Sequence, residues 1–176
     1  MKSIERIQAE IEALDEEKKW YLDDKEIKLL SKLIHDDENI RALTMGRKPK
    51  TVTGYEDVYM VCTDRRVLIV SKGLLKVKTE EIALSGITEI RRKDGIIFSQ
   101  LKIMSTGRKG IKIKYMNKNS ARAFCSEVQT VPIVTREDDN SKISAAEELK
   151  GLKELLDEGI ISQEEFDAKK KNILGI

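Results

Sequence analysis

Ile4, Ile7, Ile11 and Leu14 recur at steps of three, four and three, and the positions between them are nearly all polar. This spacing predicts an amphipathic helix. Two heptads are too few for an independent coiled coil, so the stripe must dock on the body of the protein or on a second chain. Asp23 and Asp24 read as an N-cap pair for a second helix. Its Ile27, Leu29, Leu30, Leu33 and Ile34 give a wider apolar face suited to lying on a core. Trp20 and Tyr21 sit at the junction and are expected to anchor both helices.

From Ile40 the period changes to two. Ile40–Thr44, Asp57–Thr63, Arg66–Ser71, Leu74–Ala83, Ile87–Arg91, Ile96–Met104 and Ile111–Tyr115 read as seven strands. Short turns join them, at Asp64-Arg65, Lys72-Gly73, Lys93-Asp94-Gly95 and Thr106–Gly110. Asn117 or Asn119 caps one further helix, with Ala121, Phe124, Cys125 and Val128 on one face, placed to cover an edge or mouth of the sheet. Residues 130–143 show no period and read as a linker. Ser144 then caps a helix bearing Leu149, Leu152, Leu155 and Leu156, and Gly159 stops it. Ser162-Gln163-Glu164-Glu165 has capping-box spacing and opens a last helix with Phe166, Ile173 and Leu174. The predicted class is α+β: a seven-stranded antiparallel barrel or sandwich capped by a helix, with N-terminal helices and a C-terminal helical hairpin. The expected divisions are 1–36, 37–129, the linker 130–143, and 144–176.

Composition narrows the functional classes. The chain has 176 residues, 33 basic and 31 acidic. The charges are segregated: residues 1–36 hold 7 basic and 10 acidic groups, 37–132 hold 19 and 10, and 133–176 hold 7 and 11. A basic middle between acidic ends points to different contacts for different parts. Apolar runs such as Val67–Val70 fall far short of the ~20 residues a membrane span needs. The charged N-terminus lacks the apolar core of a signal peptide. Cys62 and Cys125 stand far apart and form no CxxC pair. They read as small buried hydrophobes, and a reducing cytoplasm is the expected location.

Two resemblances follow from local marks. Val61-Cys62-Thr63-Asp64-Arg65-Arg66-Val67-Leu68-Ile69 is similar to an apolar–T-D-x-R–apolar hairpin. Ile82–Ile90 resembles an I-x-L-x-x-I-x-x-I stretch. In this order, and with the closing helix, residues from about 37 to 128 resemble a bacterial pleckstrin-homology-like domain of the YokE type. Residues 144–176 resemble the short C-terminal domain called SHOCT, through Leu149-x2-Leu152-x2-Leu155-x3-Gly159-Ile160-Ile161-x2-Glu164-Glu165-Phe166-x3-Lys170. The resemblance brings no catalytic residues and implies a binding or assembly module, often self-associating.

The reactive side chains point the same way. The single histidine, His35, leaves no triad and no histidine-based metal site. His35-Asp36-Asp37-Glu38 reads as a polar turn. No phosphate-binding glycine fingerprint appears. No catalytic residue, cofactor or metal is expected. Two candidate surfaces remain. Arg47, Lys48 and Lys50, read in the turn between the first two strands, are candidates for an anion site, against the alternative of solubility lysines. Leu149, Leu152, Leu156, Ile161, Phe166 and Ile173 exceed what a two-helix unit can bury between its own helices, so they are candidates for protein contact, in cis or in trans. The expected partner is a second copy or another protein. A membrane surface ranks behind these. Nucleic acid is disfavoured, because the strands show no paired exposed aromatics for base stacking.

Overall fold

Seven period-two stretches form antiparallel strands: β1 (Ile40–Pro49), β2 (Tyr55–Thr63), β3 (Arg66–Lys72), β4 (Val77–Ala83), β5 (Ile87–Asp94), β6 (Ser99–Ser105) and β7 (Ile111–Met116). They are hydrogen-bonded in the order β4-β3-β2-β1-β7-β6-β5. The computed structural model describes residues 1–19, 21–50, 54–72, 77–129, 134–137 and 143–176. Trp20, the turn at Gly73, the strand start expected at Leu74–Lys76 and most of the expected linker lie outside the described residues. Helices α1 (Ile4–Glu12) and α2 (Asp24–Leu33) precede the sheet, and α3 (Lys118–Val128) follows it. The hairpin is α4 (Ala145–Asp157) and α5 (Gln163–Leu174).

The caps are those the sequence announces. Asp23 and Glu26 form a reciprocal capping box on α2. Asn117 caps α3 by accepting from Asn119 and Ser120. Ser144 caps α4, and Ser162 with Glu165 boxes α5. Gly159 takes φ +71°, which only glycine adopts without cost. Its N–H meets the Leu156 carbonyl at 2.9 Å while Ile160 N–H meets that of Leu155 at 2.9 Å, ending α4 in a Schellman turn.

Two apolar layers build the body. The inner layer joins Met60, Cys62, Val67, Ile69, Ile90, Leu101, Ile103 and Ile113 with Phe124, Cys125 and Val128 of α3. The other side of β1–β3 presents Leu43, Val61, Leu68 and Val70 to Ile7, Ile11, Ile27, Leu30 and Ile34 of the N-terminal helical region. Strands β1–β3 are therefore buried on both faces, which explains their nearly unbroken apolar runs. The heptad stripe finds its partner in cis, because Ile7 and Ile11 lie against the sheet. Burying such a side chain stabilises by roughly 1.5–3 kcal/mol. Tyr21 does not anchor anything: it is 78% exposed.

Three segments differ from expectation. Strand β1 runs on to Pro49, because Arg47 faces Asp57 and Lys48 faces Glu56 across the ladder, and opposite charges in register favour pairing. Strand β5 extends to Asp94 and β6 begins only at Ser99, so the turn falls at Gly95–Phe98 and leaves Ile96 half-exposed. The segment read as a plain linker contributes β8 (Val134–Glu137), paired parallel to β5. Such pairing uses backbone groups at a sheet edge, so a charged segment without side-chain period serves.

Candidate functional site

The Thr63-Asp64-Arg65-Arg66 mark is a structural junction. Thr63 Oγ1 accepts from the N–H groups of Arg65 and Arg66 at 3.2 and 3.0 Å, and Asp64 accepts from Asn39 at 3.1 and 2.8 Å. Arg66 then donates twice to Glu38 at 2.7 Å, once to the Leu33 carbonyl at 2.9 Å, and to Glu81. Glu38 is buried and also accepts from His35 N–H at 3.0 Å. Burial would raise its carboxyl, but Arg66 together with the His35 N–H outweighs this and holds it below the ordinary carboxylate value. Lys2, buried beside Glu10 at 2.5 Å and donating to the Glu38 carbonyl, ties α1 into the same junction.

The sequence-predicted anion residues do not converge. Arg47 and Lys48 lie in β1 rather than in a loop. Arg47 is 8% exposed, and its guanidinium pairs with Asp57 at 2.9 Å and with Glu158. Lys48 pairs with Glu80. Lys50 alone of the three is exposed. The cations that face one another lie elsewhere. Arg91 of β5 stands opposite Lys102 of β6, and Lys102 opposite Lys112 of β7. Arg91 has a carboxylate neighbour, Glu89 at 2.8 Å. Burial, then the charges of Lys114 and Lys93, depress the Lys112 ammonium against the pull of Glu147.

The hairpin meets the sheet through α4. Leu152 and Leu155 are buried, as is Ile173 of α5; Leu149, Leu156, Ile161 and Phe166 are half-buried. The contact with the sheet carries much polar chemistry. Ile97 N–H donates to Glu148 Oε1 at 3.2 Å, the Tyr115 hydroxyl to Glu154 Oε2 at 3.2 Å, and Arg47 Nη2 to Glu158. Gly151 lies directly on the Tyr115 ring, and a Cβ there would overlap the ring. Tyr115 also meets the rings of Tyr55 at 5.2 Å and Phe98 at 5.8 Å edge-on, and Lys169 of α5 stands 5.7 Å above Phe98. Burial, then Tyr55 and Glu154, push the Tyr115 hydroxyl well above its ordinary value, so it is a donor.

A bulge aims that ring. Strand β7 advances three residues, from Met116 to Ile113, while β6 advances two, from Ser99 to Leu101. Tyr115 takes φ +55° there. A bulky residue in that region costs about 1–3 kcal/mol and persists only where its surroundings hold it.

Tyr55, Phe98, Tyr115, Glu148, Glu154 and Glu158 were not singled out by sequence reasoning. One local signal was present: Gly151, mid-helix, costs ~1 kcal/mol relative to alanine and marks a close approach. Among the described residues, no group of three or more His, Cys, Asp or Glu is arranged to hold a metal ion. No described helix is long and apolar enough to cross a membrane.

The model of the bacterial PH domain family matches residues 34–130, more than half of the chain. The chain belongs to the bacterial PH domain family. The short C-terminal domain model, SHOCT, matches residues 147–174. Both are binding or scaffold modules and generally non-catalytic. No curated protein matches the chain. Among solved structures, it is similar to the hSac2 domain from human phosphoinositide phosphatase Sac2, at 13% identity and TM-score 0.46, over 69% of this chain and 94% of that one. It is also similar to the N-terminally truncated linker-DH/PH domains of p115-RhoGEF, at 8% identity and TM-score 0.42, over 74% of this chain and 40% of that one.

Proposed function

We propose that this PH–SHOCT chain is a non-enzymatic binding and assembly protein whose hairpin makes protein–protein contacts, including contacts between copies. The observation that carries this is the hairpin's orientation. It turns Leu152 and Leu155 inward, yet leaves Ile160 53% and Leu174 45% exposed and Ile161 and Phe166 half-buried. An apolar surface that the body does not cover is a surface for a partner. Light scattering at about 100 μM, well above an ordinary micromolar Kd, tests it. Wild type should exceed the mass of one chain, and Ile160→Glu with Leu174→Glu should return it to one chain at unchanged melting temperature. Both positions are exposed, so the pair does not disturb the docking of α4. A wild type that is monomeric at that concentration rules out self-association through this exposed surface and leaves a separate protein as its partner.

A second reading, attachment to an anionic lipid surface, draws on the facing cations Lys102 and Lys112. Like charges directly opposite one another in a sheet destabilise it unless something neutralises them. Co-sedimentation with phosphatidylserine vesicles at about 50 mM salt, where surface attraction is strong, should be lost in Lys102→Glu with Lys112→Glu. Absence of wild-type binding there removes this reading.

A further inference from the structure

Glu148, Gly151, Glu154 and Glu158 follow one another at steps of three, three and four along α4 and share one face of the helix. Each has its own counterpart on the PH domain: the Ile97 N–H, the Tyr115 ring, the Tyr115 hydroxyl and the Arg47 guanidinium. Carboxylates flank a gap that only a residue without a side chain can fill, so the match specifies a helix type. The receiving face has features of a built site. Arg47 is more than nine-tenths buried and its Nη1 has no hydrogen-bond partner, and Tyr115 is held by a bulge at positive φ. On the helix side, Glu148 is 3% exposed and its Oε2 is likewise unpartnered. Unmet buried polar groups lower the net gain of a contact and so make its occupant displaceable.

We propose that the face formed by Arg47, Ile97, Phe98 and Tyr115 is a receptor for an acidic helix with a central glycine, and that α4 of a second copy takes the place of the chain's own α4 there. This rests on the reading that copies associate through the hairpin, and it names the site and the exchanged element. The partners of the three hydrogen-bonded contacts stand 39 to 111 residues apart in sequence, so nothing in the contact geometry depends on one chain supplying both. The partner's chemistry is the chain's own: residues 133–176 carry 11 acidic and 7 basic groups, against 19 basic and 10 acidic in residues 37–132. Exchange then needs no new surface, because the intermolecular contact repeats the intramolecular one. Its effective concentration in cis holds the single chain closed when dilute, and exchange grows with protein concentration.

Two full-length variants test this, both carrying Ile160→Glu and Leu174→Glu so that the exposed hairpin surface does not contribute. One adds Arg47→Glu, which spoils the receiving face and leaves α4 intact. The other adds Gly151→Trp, which blocks α4 against Tyr115 and leaves the face vacant. Each alone should show the 20.1 kDa mass of one chain, and the mixture at about 100 μM should show a species of two chains. Adding Glu158→Arg to the first variant should abolish that species, because the arriving helix then sets arginine against Arg47 of the vacant face. A mixture that stays at the mass of one chain overturns the proposal, as does a pair indifferent to Glu158→Arg. If Gly151→Trp melts the sheet by circular dichroism, Glu154→Lys with Glu158→Lys empties the face instead, with the same outcomes. A monomeric wild type removes self-association through the exposed hairpin surface, whereas this mixture reports on the receiving face by itself.

Discussion

Replacing Arg66 by alanine asks whether the T-D-x-R mark of this family serves the fold or a ligand. Glu38 is 3% exposed, and both of its oxygens accept from Arg66 at 2.7 Å. Removing the guanidinium leaves a buried carboxylate that, among the described residues, keeps only the His35 N–H at 3.0 Å, and it also strands the Leu33 carbonyl and Glu81. Removing one partner of a buried ion pair costs about 3–5 kcal/mol. For a chain of this size that lowers the melting temperature by roughly 6–20 °C. Glu38→Gln keeps the shape and removes the charge, so Arg66→Ala in that background should cost clearly less than in wild type. The difference is the coupling of the pair, read from a double-mutant cycle of urea melts. A loss below about 1 kcal/mol for Arg66→Ala, or costs that simply add, would refute the junction and return Arg66 to the candidates for ligand binding.

The same carboxylate sets an acid limit. A carboxyl held below its ordinary ~4.3 contributes stability above that value and loses it as the pH falls through and beneath it. Melting temperature should drop between about pH 5 and pH 3, and less steeply in Glu38→Gln; equal slopes would remove Glu38 as the cause. Ile69 is fully buried between β2, β4 and the inner layer, so Ile69→Asp buries a charge without a partner and should abolish the folded baseline in circular dichroism. A folded, soluble Ile69→Asp chain with wild-type melting would contradict the strand assignment.

What the sequence made legible was whatever depends on near neighbours. Period two located seven strands because each strand's burial shows in its own residues, and Asp23, Asn117, Ser144 and Ser162 announced their helices because a cap bonds within three positions. Leu152 and Ile173 of the candidate contact face proved buried. Contacts that depend on distant residues did not show. Nothing near Arg47 indicated that Glu158 would close over it, and nothing near Tyr115 that an extra residue in β7 would turn its ring outward. Short β8 stayed hidden because parallel pairing at an edge leaves no mark on side-chain period. Lys2 carries no local mark of burial and is buried by partners at positions 10 and 38 of the chain.

The charge segregation then gains a physical reading. At the C-terminal end the acidic hairpin meets the basic middle, where Glu158 takes Arg47; at the N-terminal end the signs are reversed, Lys18 taking Glu127 of α3 at 2.9 Å. The two ends nevertheless hold on differently. The N-terminal helices bury Ile7, Leu30 and Ile34 almost completely against the sheet, an apolar contact that salt does not screen. The hairpin leans on the sheet through Gly151 on the Tyr115 ring and through three carboxylates that meet one backbone N–H, one hydroxyl and one guanidinium, and the exposed Glu158 contact weakens as salt screens it. The N-terminal end is therefore part of the permanent core. The C-terminal end is the element that the proposed exchange would move, and it carries both α4 and the exposed Ile160 and Leu174. The chemistry that would let the arm dock on a second copy is the chemistry by which it docks on its own body: carboxylates of α4 against Arg47, Tyr115 and the Ile97 N–H.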